Sequence, residues 1–89
     1  MAALTFTKSG SLYVATQTVS GDFALHLESA SESTYSLNMK SDSDAPSYAP
    51  VDVFTNAKVV DYQYQGAVYP AYLQITSSQP VTYGSIIEA

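Results

Sequence analysis

The only histidine in the sequence, His26, is the residue whose neighbours most clearly suggest chemistry. Asp22 precedes it and Glu28 follows it, and in a β-strand His26 and Glu28 project from the same face about 7 Å apart. A histidine beside a carboxylate occurs in the triads of hydrolases, and the same two side chains can ligate a divalent ion. However, the spacing selects no nucleophile among the many serines, and two side chains make a poor metal site. We therefore expect His26 to lie on the exposed or interface face of a strand.

A second acidic pair, Asp42 and Asp44, has the spacing that begins a calcium-binding loop. The next ligand position of such a loop is occupied here by Pro46, which offers no side-chain oxygen. The position of the bidentate glutamate is occupied by Val53. This serine-rich stretch is therefore expected to be a solvated acidic loop, and we predict neither a metal ion nor any other cofactor.

Tyrosine is unusually abundant, with eight residues in a chain that has no tryptophan. Its ring offers a large contact area at low entropic cost, and its hydroxyl tolerates partial exposure. Three uses compete: half-buried side chains of a β surface, a protein–protein interface, and a platform on which sugar rings stack. Four tyrosines lie close together in the sequence and are predicted as the candidate interface: Tyr62, Tyr64, Tyr69 and Tyr72.

The charge inventory excludes several classes of protein. Charged residues make up only 12% of the chain, about half the usual share. Three lysines and no arginine stand against eight carboxylates, which gives a net charge of −5, so we expect no nucleic-acid partner. The lack of cysteine excludes disulfides, cysteine-ligated metals and thiol catalysis. Because the sequence also has no glycine-rich phosphate loop, zinc-ligand spacing or nucleophile elbow, we predict that the protein is not an enzyme.

The length of 89 residues predicts one domain spanning 1–89. The sequence shows no basic segment followed by an apolar run and no apolar stretch of about 18 residues. We therefore expect neither a secretory signal nor a membrane span. The apolar surface that so short a chain buries roughly balances the conformational entropy lost on folding. Association with copies of itself or with a larger surface is an expected source of further stability.

Apolar and polar residues alternate with period two along most of the sequence, which predicts β-strands. A first hairpin is predicted over 3–19. A second hairpin is predicted from strands at 23–28 and 34–40, joined by a polar connection at 29–33. Two prolines and two aspartates predict a loop over 41–50.

The second half of the chain is also predicted to be built from strands. The segment 51–56 is compatible with a short strand or a helical turn, whereas 57–64 and 71–77 alternate clearly. A last strand is predicted over 79–87, with Gly84 as a bulge. About seven short antiparallel strands at such spacing predict an all-β fold, a single small β-sandwich or small barrel.

Three segments carry a resemblance to a known group of proteins: Tyr13–Thr16, Asp22–Glu28 and Tyr69–Ile75. With the small size and the strands rich in serine, threonine and tyrosine, they resemble the small auxiliary or head-decoration proteins of tailed bacteriophages, with crAss-like phages as one candidate group. The resemblance implies a non-enzymatic β protein that binds the outside of a preformed capsid, often as a trimer or in many copies. Its partners would be the major capsid protein or other virion subunits, and it would stabilise a head assembled in the host cytoplasm. The resemblance transfers no functional residue.

Two other functions remain open from the sequence. A carbohydrate-binding or cell-surface-binding module of the adhesin or fibre type would use Tyr62 or Tyr72 to stack on sugars. A small hydrolase or metal-dependent enzyme would be centred on His26. The first alternative predicts loss of glycan binding when either tyrosine is replaced, and the second predicts loss of activity in His26→Ala.

Overall fold

The computed structural model describes residues 2–65 and 70–88. The described chain forms seven β-strands, and every strand pair is antiparallel, which confirms the predicted all-β fold. The strands belong to one sheet, which curls into a half-barrel. No helix in the described ranges has the length and apolar character needed to cross a membrane. The strands are β1 (Ala2–Ala3), β2 (Thr7–Ser9), β3 (Leu12–Val19), β4 (Phe23–Lys40), β5 (Ala49–Tyr64), β6 (Ala71–Ser77) and β7 (Val81–Glu88).

The long strand β4 organises the sheet. One edge of β4 pairs with β5 along most of its length. Its other edge pairs first with β7, from Phe23 to Ser29, and then with β6, from Tyr35 to Lys40. The outer strands β3 and β2 follow β6, and β1 follows β7. Because one strand serves two parts of the sheet, the sheet curls around a single core.

The predicted connection at 29–33 is wrong, because β4 continues through it without a turn. The strand bends there instead, with register shifts between Glu28 and Ser33 and again before Tyr35. Ser33 is buried, and its hydroxyl lies 2.7 Å from that of Ser77 on β6. Ser29 is also buried and donates to the carbonyl of Ser31 at 2.7 Å. Serines that suggest a loop in the sequence therefore stay in a strand, since their hydroxyls find partners inside the fold.

The ambiguous segment 51–56 is strand and belongs to β5. The predicted loop is confirmed over 41–48, whereas Ala49 and Pro50 already pair with β4. Pro50 is tolerated because β5 pairs with β4 alone and is an edge strand of the described sheet. Asn56 has a φ of 54°, in the left-handed region, where β5 follows the bend of its neighbour.

The first predicted hairpin is shorter than expected, because only 7–14 pair as β2 and β3. The residues before β2 join β7 instead, where Leu4 donates its backbone N–H to the Gly84 carbonyl at 2.9 Å. The predicted bulge at Gly84 is also wrong, since Gly84 is in register with Leu27 and the irregularity falls closer to Val81. The predicted strands at 71–77 and near the end of the chain are confirmed as β6 and β7.

The core lies on the concave side of the sheet and follows the period-two alternation. Strands β4 and β6 supply most of it, with contributions from β3, β5 and β7. Leu4 and Phe6, from the segment between β1 and β2, pack against this core and are partly buried. The buried cluster consists of Val19, Phe23, Leu25, Leu27, Tyr35, Leu37, Val60, Ala71, Leu73, Ile75 and Ile86.

Candidate functional site

His26 lies on the convex side of the sheet, because it alternates with the buried residues Leu25 and Leu27 on β4. Its Nε2 atom lies 2.7 Å from Oε2 of Glu28, two positions along the same strand. Its Nδ1 atom lies 3.8 Å from Oδ2 of Asp61, the residue opposite it on β5. The side chain of His26 is 31% exposed, so it lies in the outer surface, as the sequence predicts.

The two ring nitrogens of His26 therefore face two different carboxylates. A neutral imidazole carries one N–H and can donate to only one of them, whereas an imidazolium can donate to both. Sequence reasoning found the partner on the same strand, Glu28, from the period of two. It missed Asp61, because the opposition of His26 and Asp61 depends on the register between β4 and β5.

Large apolar side chains surround this polar group on the same face. Val59 on β5 and Tyr83 on β7 flank Glu28 from opposite sides. Val59 is 58% exposed and Tyr83 is 50% exposed. Ile87, also on β7, is exposed as well and lies opposite Ala24. We call this surface the His26 face; it comprises Ala24, His26 and Glu28 of β4, Val59, Asp61 and Gln63 of β5, and Tyr83, Ser85 and Ile87 of β7.

The rings of His26 and Tyr83 pack edge to face, with centroids 6.0 Å apart and an interplanar angle of 71°. Such contacts hold an aromatic side chain in one orientation while leaving part of its surface open. Tyr83, Val59 and Ile87 were not singled out as functional residues from the sequence. The alternation along β5 and β7 could have indicated which side of its strand each residue occupies. That the three residues form one patch depends on the pairing of β5 and β7 with β4, which the alternation does not give.

Asp22 is not part of the His26 face. It lines a depression near the start of β4 together with Phe23, Tyr64 and Glu88. This depression adjoins the His26 face, since Ala24, Gln63 and Ile87 line it as well. The acidic pair Asp42 and Asp44 lies in the loop before β5, where Asp42 accepts the backbone N–H of Asp44 at 2.9 Å. In the ranges that the structure describes, no group of three or more histidine, aspartate or glutamate side chains is arranged to hold a metal ion.

The predicted tyrosine group is divided between two sides of the sheet. Tyr62 and Tyr64 project to the concave side of β5, since they pair with Leu25 and Phe23 of the core. Tyr72 projects to the convex side, because its neighbours on β6 are buried. Tyr69 lies outside the described residues.

Tyr62 and Tyr64 line an open depression between the end of β4 and the start of β5, together with Met39 and Val51. The Tyr64 ring stacks on Phe23 with centroids 5.6 Å apart, and the Tyr62 ring meets Phe54 edge to face at 5.2 Å. Burial raises the pKa of the Tyr62 hydroxyl, and the nearby charge of Asp52 and the hydroxyl of Tyr64 raise it further. These contacts account for both tyrosines as half-buried packing residues and leave part of each ring at the depression.

Tyr72 lines a different depression. Tyr48 and threonines of β3 line the same depression. The ammonium group of Lys40, the residue opposite Tyr72, lies 4.6 Å from the centroid of the Tyr48 ring. This contact helps to hold the loop before β5 against the sheet.

Comparisons with known proteins return no match of any kind: no family model, no curated protein and no solved structure matches this chain.

Proposed function

We propose that this protein is an auxiliary or decoration protein that binds the outside of a bacteriophage capsid and stabilises it. The observation that carries the proposal is the His26 face, on which Val59, Tyr83 and Ile87 are exposed to 58%, 50% and 51%. Large apolar side chains gathered on one face are typical of protein–protein contact surfaces. The resemblance of the sequence to head-decoration proteins supplies the class of partner.

The composition of the chain supports a role beside a larger partner. Only 12% of the residues are charged, fewer than a free-standing domain usually displays. The half-barrel also leaves core-side aromatic residues such as Tyr62 and Phe54 only partly covered. Contact with a lattice of identical subunits would bury apolar surface and increase the stability of the fold through binding.

Co-sedimentation with assembled heads of the phage that encodes the chain tests the proposal. We expect the protein to sediment with heads at micromolar concentration, and Val59→Ser to weaken this binding by about tenfold or more, because a buried apolar contact is lost. Val53→Ser is the matched control, since Val53 lies on the same strand with 55% exposure but outside the His26 face. Failure of the unmodified protein to bind heads at micromolar concentration would refute the proposal.

Carbohydrate binding is a second candidate function, and the depression beside Tyr62 and Tyr64 is the observation that favours it. Aromatic rings at an open depression can stack on the apolar face of a sugar. A glycan array tests this alternative: binding that is lost in Tyr62→Ala and kept in Tyr83→Ala would favour it. Binding to heads that depends on Val59 and Tyr83, with no glycan retained, would exclude it.

A further inference from the structure

We infer that the His26 face recognises an arginine side chain that its partner presents among apolar residues. This inference rests on the proposed function only in taking the partner to be a protein surface. The face combines an acidic centre with an apolar surround, and each of the two features restricts the chemistry of the partner in a different way.

The acidic centre consists of Glu28 and Asp61, whose carboxylates lie on either side of the His26 ring. Glu28 is 46% exposed and Asp61 is 70% exposed at the side chain, so both side chains are accessible to a partner although Oε2 of Glu28 already contacts the His26 ring. Within the described residues, the ion pairs of these two carboxylates are both with the imidazole, which can offset at most one of the two negative charges. The face therefore carries net negative charge, and a cation is the complementary group.

Among the described residues, none of the three lysines forms an ion pair with the carboxylates of this face. Lys8 belongs to β2, and Lys40 ends β4 in the other part of the sheet, where it contacts the Tyr48 ring. Lys58 precedes Val59 on β5, and it forms no ion pair within 4 Å with Glu28 or Asp61. The carboxylates of Glu28 and Asp61 are therefore available to a cation from outside the chain.

The apolar surround favours arginine over lysine. An arginine guanidinium is planar, is less strongly hydrated than an ammonium group, and stacks on aromatic rings. Tyr83 offers such a ring at the edge of Glu28, and Val59 covers the opposite edge. A guanidinium placed here can donate to the Glu28 carboxylate while its flat faces contact apolar groups.

A second copy of the chain does not fit the same face. Two His26 faces placed against each other would bring four carboxylates together with only two imidazoles, and like charges at an interface are costly. The charge pattern thus selects a different, basic partner surface. The edge of β5 that pairs with no described strand is also a poor site for self-association, because Pro50 lacks a donor and Asn56 interrupts the regular strand.

The test is selection of binding peptides from a random-peptide library displayed on beads, with the complete folded chain as the target. We expect enriched peptides to contain arginine next to aromatic or aliphatic residues. Glu28→Gln and Asp61→Asn should each weaken binding of a selected peptide by roughly tenfold, because they remove the charge without changing the shape. Glu32→Gln is the matched control, since Glu32 is an exposed carboxylate of β4 outside the face. Replacing the arginine of the peptide with lysine should also weaken binding.

Several results would overturn the inference. These are enriched peptides without a basic residue, equal binding by Glu28→Gln and the unmodified protein, and NMR shift changes that map to the Tyr62 depression. Self-association that Tyr83→Ser abolishes would assign the face to a second copy instead. The arginine inference and the proposed capsid function can fail independently. If the protein binds arginine peptides but does not bind heads, only the capsid role is refuted. Head binding that Glu28→Gln and Asp61→Asn leave unchanged would refute only the arginine inference.

Discussion

The Phe6 ring occupies the space that a side chain at Gly84 would enter. A Cβ atom at position 84 would lie 3.1 Å from Cε1 of Phe6 and 3.3 Å from Cβ of Leu4. It would also meet Leu27 at 3.4 Å. Because glycine has no side chain, Phe6 and Leu4 can occupy this space, and the N-terminal segment can pack onto the sheet.

This relationship predicts that Gly84→Val destabilises the fold by about 1–3 kcal/mol, because two further methyl groups overfill the space. Phe6→Ala should recover part of that loss, since it removes the nearest obstacle. A double-mutant cycle of urea unfolding for Gly84→Val and Phe6→Ala measures the coupling. Strictly additive effects would contradict the packing described here.

Removal of the Tyr35 hydroxyl is predicted to stabilise the fold, in contrast to Gly84→Val. Tyr35 is fully buried, and its hydroxyl has no hydrogen-bond partner among the described residues. An unsatisfied buried polar group costs about 1–3 kcal/mol, so Tyr35→Phe should raise the free energy of unfolding by about 1 kcal/mol. Thermal or urea unfolding measures the change, with Tyr83→Phe as a control at an exposed position. A clear loss of stability in Tyr35→Phe would show that the hydroxyl is satisfied in solution.

The bend of β4 depends on Ser33 in a way that unfolding measurements can test. The Ser33 hydroxyl bonds to that of Ser77 at 2.7 Å and accepts the backbone N–H groups of Ser78 and Gln79 at 3.2 and 3.3 Å. Ser33→Ala should therefore lower stability by about 1–3 kcal/mol, because buried groups lose their partner. Ser31→Ala is the control, since Ser31 is exposed and contributes only its carbonyl to the bend. Equal stability of Ser33→Ala and Ser31→Ala would contradict the role of Ser33 in stabilising the bend.

The raised pKa of Tyr62 predicts how stability changes at alkaline pH. In the unfolded chain Tyr62 ionises near its ordinary pKa of 10.0, whereas in the fold it keeps its proton to higher pH. Its contribution is therefore complete below pH 10 and is lost as the pH rises through the folded-state pKa. Tyr62→Phe should make the decline of melting temperature above pH 10 less steep than in the unmodified protein. A steeper decline in Tyr62→Phe would contradict the direction of the shift.

The inward-facing residues could be predicted from the sequence because alternation is a local property of a strand. The alternation of apolar and polar residues identifies Phe23, Leu25 and Leu27 as inward-facing, and likewise Leu73 and Ile75. All five side chains are buried in the structure. The same local rule placed His26 and Glu28 together on the outer face. Composition excluded disulfides and cysteine-ligated metals for an equally direct reason, since the chain has no cysteine.

Only the tertiary structure decided where the chain turns and which strands meet. The serines of 29–33 have the local character of a loop, yet they remain in β4 because Ser77, far away in sequence, completes the hydrogen bonds of Ser33. The His26 face likewise unites Asp61 and Tyr83 with Glu28 through the registers of β5 and β7 on β4. The register between two strands is set by pairing energies between distant segments, so it cannot be read from the spacing of residues along one strand.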